Sequence, residues 1–274
     1  MPLIITATDF SVIANNAVHY SCKLAQMQNA ELMIIHSYIV SVAFNDARAA
    51  EMTIEEAKNI AEENMDILVR QLNSEYPGLK VSGKILYGDV IDNIEELCGE
   101  NKIPWMVVVG NSIAGDNISW IESKMIQAFR NLKYPVLGIP PDCKYKDIRR
   151  LCFTYDNEYK GAEIALNQLK DIASNLNAEL HVLYAQKDVL NRDNMTEINS
   201  KAIEILKRVN PHYHVVYNSD IVKAVKTFLE THLIDWLIVM PRQHSFLESM
   251  FHKSNTKAIA HNINLPIVAL HEQL

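Results

Sequence analysis

Glycine is scarce in this chain: 8 residues in 274. Backbone N–H groups that grip a phosphate need glycine where the main chain comes close to the ligand, so few positions here suit that task. Cysteine is rarer still. Cys22, Cys98, Cys143 and Cys152 show no CxxC spacing, which excludes a dense disulfide framework and predicts reduced thiols in a cytoplasmic protein. Cys22 and Cys98 fall in helix-like patterns and read as core fillers. A basic excess is missing too, with 26 Lys and Arg against 33 Asp and Glu and a formal charge of −7. A protein held on nucleic acid by phosphate contacts ordinarily carries the opposite balance. No apolar run is long enough to span a membrane. The first residues, Met1 to Asp9, lack a basic region and their apolar run stops after about five residues, so they read as a strand and not as a signal peptide. GxSxG, HExxH and an intact Walker A are all absent, which removes the common signatures of hydrolytic and P-loop chemistry.

What is present begins with an apolar content of 49%, enough for folded cores and against wholesale disorder. The length suits one large domain or two ordinary ones. An internal repeat decides between them. Asn29-Ala30-Glu31-Leu32 recurs letter for letter as Asn177-Ala178-Glu179-Leu180, an offset of 148. Pro104-Trp105-Met106-Val107-Val108-Val109 matches Asp235-Trp236-Leu237-Ile238-Val239-Met240, and Pro135-Val136-Leu137 matches Pro266-Ile267-Val268, both at an offset of 131. Thr8-Asp9 after an apolar run has its counterpart in Thr154-Tyr155-Asp156. Units of this size are domains and not solenoid repeats. The offset shrinks by 17 between the markers, so the first copy carries the longer middle, near residues 50–75. The proline-marked, polar stretch Pro140 to Asp147 is the expected boundary.

Each copy alternates strand and helix. Ala14, Ala17, Val18, Ser21, Leu24 and Ala25 recur at helical spacing, as do Ala162, Ala165, Leu166, Leu169, Ile172 and Ala173. Ser11 is the expected N-cap of the first helix. A long helix is expected near 50–74, with Ile54, Ala57, Ile60, Ala61, Leu68 and Leu72 inward. Its Glu51, Glu55, Glu56, Glu62 and Glu63 then form a solvated face. Further strands are expected at 32–36, 80–86, 105–110 and 135–139, with helices at 89–100 and near 121–132. Such alternation, with runs like Met106–Val109 apolar on both faces, predicts a doubly wound α/β fold with a parallel sheet. Ligands in such folds sit beyond the carboxyl ends of the strands, where strand order reverses. That points to Thr8-Asp9 and to the loop after Val109.

Four pieces recur in order: Thr8-Asp9-Phe10-Ser11; Asn29-Ala30-Glu31-Leu32 leading to Ile35-His36; Tyr87-Gly88-Asp89; and Gly110 through to Pro135-Val136-Leu137. With their counterparts in the second half, they resemble a tandem universal stress protein over essentially the whole chain. The resemblance implies two Rossmann-like domains of the adenine nucleotide alpha hydrolase type, residues 1–141 and 148–274. Each would hold a five-stranded parallel sheet of order 3-2-1-4-5 with helices on both faces. It implies pairing of the two domains about a pseudo-twofold axis along their final strands, and a homodimer. It also implies a cytoplasmic stress-response role without catalysis, an adenine nucleotide such as ATP in the first domain, and no metal.

In that nucleotide site Thr8 and Asp9 would orient the base and ribose, with Ser37 alongside, while Gly110, Gly115, Ser123 and Lys124 would face the phosphates. The family's binders carry Gly-x2-Gly-x9-Gly-[Ser/Thr] after the fourth strand. Here Ile113 stands at the second glycine, with Gly115 nearby, and Glu122-Ser123 replaces the final pair. Glu122 sets a negative charge near the phosphates, which Lys124 offsets. The second copy has Pro241-Arg242-Gln243-His244-Ser245 and no glycine. Arg242, His244, His252, Lys253 and Ser254, with Asp156 after the first strand, form a cluster suited to an anion held by side chains; the alternative is a polar loop and helix cap. Two other readings stay open for the whole chain: a slow nucleotide hydrolase, and a ligand-free interaction module.

Three further features stand outside that frame. His212-Tyr213-His214 on a strand would put two imidazoles on one face, a spacing that can ligate metal. No cysteine or carboxylate near it in sequence completes a set, so an ordinary half-exposed strand is expected. Trp105 and Trp236 open equivalent strands and read as core or interface anchors. Phe246, Leu247, Met250 and Phe251 form an apolar patch that either packs between domains or meets a partner.

Overall fold

Short apolar runs followed by small-residue helices set the layout. The computed structural model describes residues 1–39, 47–99, 103–110, 127–155, 162–186, 200–240 and 265–271. The first half runs β1 (Leu3–Ala7), α1 (Val12–Met27), β2 (Glu31–Tyr38), α2 (Ala47–Glu75), β3 (Val81–Tyr87), α3 (Val90–Gly99), β4 (Met106–Gly110), a helical stretch at 127–131 and β5 (Val136–Ile139). The second runs β6 (Arg150–Tyr155), α4 (Glu163–Leu176), β7 (Glu179–Gln186), α5 (Ser200–Leu206), β8 (His212–Tyr217), α6 (Ile221–Thr231), β9 (Trp236–Val239) and β10 (Ile267–Ala269). Among the described residues, no helix is long and apolar enough to cross a membrane.

All strands join one sheet of order β3-β2-β1-β4-β5-β10-β9-β6-β7-β8. Each half therefore has the order 3-2-1-4-5, as expected, and its neighbours run parallel. The halves meet where β5 and β10 pair antiparallel, with Ile267 opposite Gly138, Val268 opposite Leu137 and Ala269 opposite Val136. Leu137 and Val268 are equivalent residues of the repeat. Their mutual pairing is the self-complementary register that a twofold axis through the sheet produces.

Both faces of the sheet are covered. Ile4, Val108, Leu151 and Phe153 pack beneath α1, α2, α4 and α5. Ile5, Val107, Leu183 and Val239 pack beneath α3, residues 127–131 and α6. Strands buried on both sides need continuous apolar runs, which is why Met106, Val107 and Val108 are all inaccessible. The helix faces read from spacing are the buried ones: Ala14, Ala17, Val18, Ser21, Leu24 and Ala25, and Ala162, Ala165, Leu166, Leu169, Ile172 and Ala173. Ser11 caps α1, its Oγ accepting from Ala14 N at 3.2 Å. In α2 the expected face needs one correction. Ile60 is 58% exposed, while Met65 joins Ala61, Leu68 and Leu72 in the core. The helix turns by about 100° per residue, so Ile60 points about 100° away from Ala61, whereas Met65 lies about 40° from it and joins the stripe. Glu55, Glu56, Glu62 and Glu63 are exposed as expected.

The two halves are also tied through their helical layer. Trp236 is fully buried, and its Nε1–H donates to Tyr20 Oη at 2.7 Å across the halves. Residues 140–149 form neither helix nor strand. Asn16 Nδ2 donates to the carbonyls of Pro140 and Cys143, both at 3.1 Å. Asp235 accepts from Arg149 N and Arg150 N at 2.8 and 2.9 Å. The two ring nitrogens of His271 lie 3.1 and 2.7 Å from the carbonyl oxygens of Tyr134 and Phe129. Trp105, the repeat mate of Trp236, is only partly buried, and its Nε1 has no hydrogen-bond partner among the described residues.

Candidate functional site

Sheet order reverses between β1 and β4: β1 pairs with β2 on one side and β4 on the other, Thr6 lying opposite Val108. Chain leaving these two neighbours turns toward opposite faces, which opens a crevice at their carboxyl ends. Thr8 and Asp9 follow β1, Ser37 lies near the end of β2, and Gly110 ends β4. The structure thus gathers these four expected residues at one end of the first half. Gly115, Ser123 and Lys124 lie outside the described residues. So do Asp156, Arg242, His244, His252, Lys253 and Ser254, and the patch of Phe246, Leu247, Met250 and Phe251.

The loop after β1 is a chain of local caps. Thr8 Oγ1 accepts from Phe10 N, and Asp9 Oδ1 accepts from Ser11 N, both at 2.9 Å. Asp and Thr side chains that bond two residues onward fold the chain into a tight turn. Phe10 pays for that turn with a left-handed φ of 62°, a strained conformation for an aromatic residue. Its ring lies 4.6 Å from that of His36. His36 Nδ1–H donates to Thr8 O at 2.8 Å, so the β1 and β2 ends are locked together.

Ser37 is held from the other side. Asn93, on α3 and buried, donates from Nδ2 to Ser37 Oγ at 3.0 Å and to Tyr87 O at 3.3 Å. Asp89 Oδ1 accepts from Ile91 N at 2.8 Å at the start of α3. Gly110 has a packing reason of its own. A Cβ there would meet the Ile13 carbonyl oxygen at 3.2 Å and Ile13 Cγ2 at 3.3 Å. The glycine lets β4 end against the first turn of α1. Sequence reasoning missed Phe10, His36 and Asn93. His36 neighbours Ser37 on the strand and could have been inferred, whereas the positive φ of Phe10 and the reach of Asn93 leave no sequence signal.

His212 and His214 do share a face of β8, as their spacing predicts. β8 is the half-exposed strand expected of it, and the neighbouring strand β7 adds a carboxylate that lies far off in sequence. Glu179 Oε1 lies 3.1 Å from His212 Nε2, and His181 Nδ1 lies 3.0 Å from His214 Nε2. The register that opposes His181 to His212 is non-local. The thiols behave as core groups: burial raises Cys22 to about 12 and Cys98 to about 11, and Cys152 is raised by burial as well.

No family profile and no curated protein matches the chain. Solved structures do. A universal stress protein from Archaeoglobus fulgidus DSM 4304 is 16% identical with a TM-score of 0.70, over 98% of each chain. A protein of unknown function from Pseudomonas aeruginosa PAO1 is 12% identical with a TM-score of 0.57, over 99% of this chain and 92% of its own. The cytoplasmic domain of a prokaryotic cation chloride cotransporter is 10% identical with a TM-score of 0.53, over 99% of this chain and 96% of its own. What these proteins share with this chain is the fold. The chain is an α/β protein with the universal stress protein architecture along its whole length.

Proposed function

We propose that the chain is a tandem universal stress protein. In this reading residues 1–141 and 148–274 are two domains of a cytoplasmic stress-response module without catalysis of its own. The first domain holds an adenine nucleotide, with Thr8, Asp9 and Ser37 toward base and ribose and Gly110, Gly115, Ser123 and Lys124 toward the phosphates. The observation that carries it is the convergence of Thr8, Asp9, Ser37 and Gly110 at the strand-order reversal, where doubly wound folds bind their ligands. The strained turn at Phe10 supports it, since backbone strain concentrates at functional positions.

A ligand-free reading has its own support. The Thr8 and Asp9 side chains already serve the turn, and Gly110 has a packing role against Ile13. One experiment separates the two. The purified protein is denatured and its released small molecules are identified by mass spectrometry, and the native protein is titrated with ATP and Mg²⁺ in a thermal-shift assay. Adenine nucleotide near one per chain, or a clear shift, supports the binding reading. Neither result leaves the ligand-free module. Glu122→Gly sharpens the test, because removing a carboxylate near the phosphates should raise ATP affinity.

A further inference from the structure

One cluster is left unused by that reading. At the amino-terminal end of β7 and β8 four imidazoles converge: His181, His212 and His214 from the two strands and His232 after α6. Ring centroids of His181 lie 5.5 Å from His212, 5.1 Å from His214 and 5.7 Å from His232. Phe228 of α6 stacks on His232 at 3.9 Å and meets His214 at 4.8 Å. His232 Nδ1–H donates to Phe228 O at 3.0 Å. His181 is 6% exposed, and its buried Nε2 has no hydrogen-bond partner among the described residues.

Among the described residues the charges facing this cluster are few. Glu179 Oε1 lies 3.6 Å from His181 Nε2 and 3.1 Å from His212 Nε2. Arg150 of β6 already shares that carboxylate, its Nε 3.5 Å from Glu179 Oε2, while its Nη1–H donates to His232 O at 3.2 Å. On α6, Lys226 and Glu230 lie 3.9 Å apart and pair with each other. Glu179 and Arg150 cancel, so any imidazolium formed here leaves the cluster net positive. Among the described residues no three His, Cys, Asp or Glu side chains are arranged to hold a metal ion. The proton is the cation this geometry answers to.

The fold does not require the histidines. The first half builds the equivalent edge with Met33 opposite Ser82 and with Lys84 on β3, where the second has His181 opposite His212 and His214 on β8. Both β3 and β8 are edge strands, held by one neighbour each.

We propose that the four imidazoles form a proton-operated latch, which fastens β8 and the end of α6 to β7 at neutral pH and releases them in mild acid. Burial, and then the neighbouring imidazoles, hold His181 and His214 below the ordinary histidine value, with Glu179 opposing. A released strand exposes these rings to water, where they titrate at about 6.5. Protons therefore bind the open form more tightly, and the closed form loses ground as pH falls below that value.

Hydrogen–deuterium exchange of the full chain at pH 7.5 and 5.5, corrected for intrinsic exchange rates, tests this. Two imidazoles held neutral should raise the opening constant of β8 by up to about a hundredfold for one pH unit below 6.5, tenfold each. Peptides of β3 supply the internal control and should not respond. His181→Met, which installs the residue of the first half, should cut the response to no more than about tenfold, the share of His214. Glu179→Gln should enlarge it, because losing the carboxylate lowers the closed-state affinity for protons further. Equal responses of β3 and β8, or a full response in His181→Met, would overturn the proposal. Should His181→Met fail to fold, imidazole NMR titration of the unmodified protein decides: titration of His181 and His214 above the ordinary value reverses the sign and refutes the latch.

Discussion

Replacing Tyr20 by Phe is the cleanest test of how the halves are joined. Tyr20 is 3% exposed and Trp236 is fully buried, and their hydrogen bond of 2.7 Å crosses from α1 to β9. Burial raises the Tyr20 phenol strongly, so the hydroxyl stays protonated at any ordinary pH, even though the bond from Trp236 pulls the other way. Tyr20→Phe removes one oxygen and leaves the ring. The indole N–H then stays buried without an acceptor. Such an orphaned donor costs about 1–3 kcal/mol, more than the roughly 1 kcal/mol of an average net hydrogen bond. For a chain of this length that loss lowers the melting temperature by about 2–5 °C. Urea unfolding and calorimetry measure it, with Tyr145→Phe as the control. Tyr145 packs edge-on against Tyr20 at 5.2 Å but is only half-buried, and its variant should stay within about 0.5 kcal/mol. A Tyr20→Phe loss no larger than the control's would refute the claim that this bond couples the halves.

Three other outcomes are expected. Gly110→Ala should cost about 1–3 kcal/mol by overpacking, because the Ile13 carbonyl 3.2 Å from the new Cβ is backbone of the first turn of α1 and would have to shift; an unchanged urea midpoint would sink this packing account. In α2, Leu72→Ala should cost about 2–5 kcal/mol, while Ile60→Lys should stay within about 0.5 kcal/mol, as their 0% and 58% exposures require. A thiol reagent near pH 8 should label Cys143 first in the native protein, because Cys22, Cys98 and Cys152 are buried; early labelling of any of those three would contradict the packing.

Particular residues show how far the sequence could be read. The tetrapeptide repeat and the alternating pattern led to a doubly wound parallel sheet in both halves, since apolar spacing is a local property of the chain; the order 3-2-1-4-5 came from the family resemblance. The helix faces of α1 and α4 followed from the same spacing. Within the candidate site, Thr8, Asp9 and the loop at Gly110 were legible because strand ends are local and ligands of doubly wound folds gather at a reversal of strand order; Ser37 came with the family resemblance. Ile60 was misplaced although the helical period itself sets it about 100° off the stripe of Ala61, Leu68 and Leu72.

The sequence by itself determined that one pattern of alternating strands and helix faces recurs in both halves, and why. Hydrophobic periodicity encodes which side of each element is buried, and the repeated segments write the same code in two places. Tertiary structure alone decided which distant groups meet. The antiparallel seam of Leu137 on Val268, the bond from Trp236 to Tyr20, and the register setting His181 beside His212 join residues far apart in the chain. No local pattern carries such pairings, because they arise only when whole strands and helices dock and a buried polar group must take the partner that docking supplies.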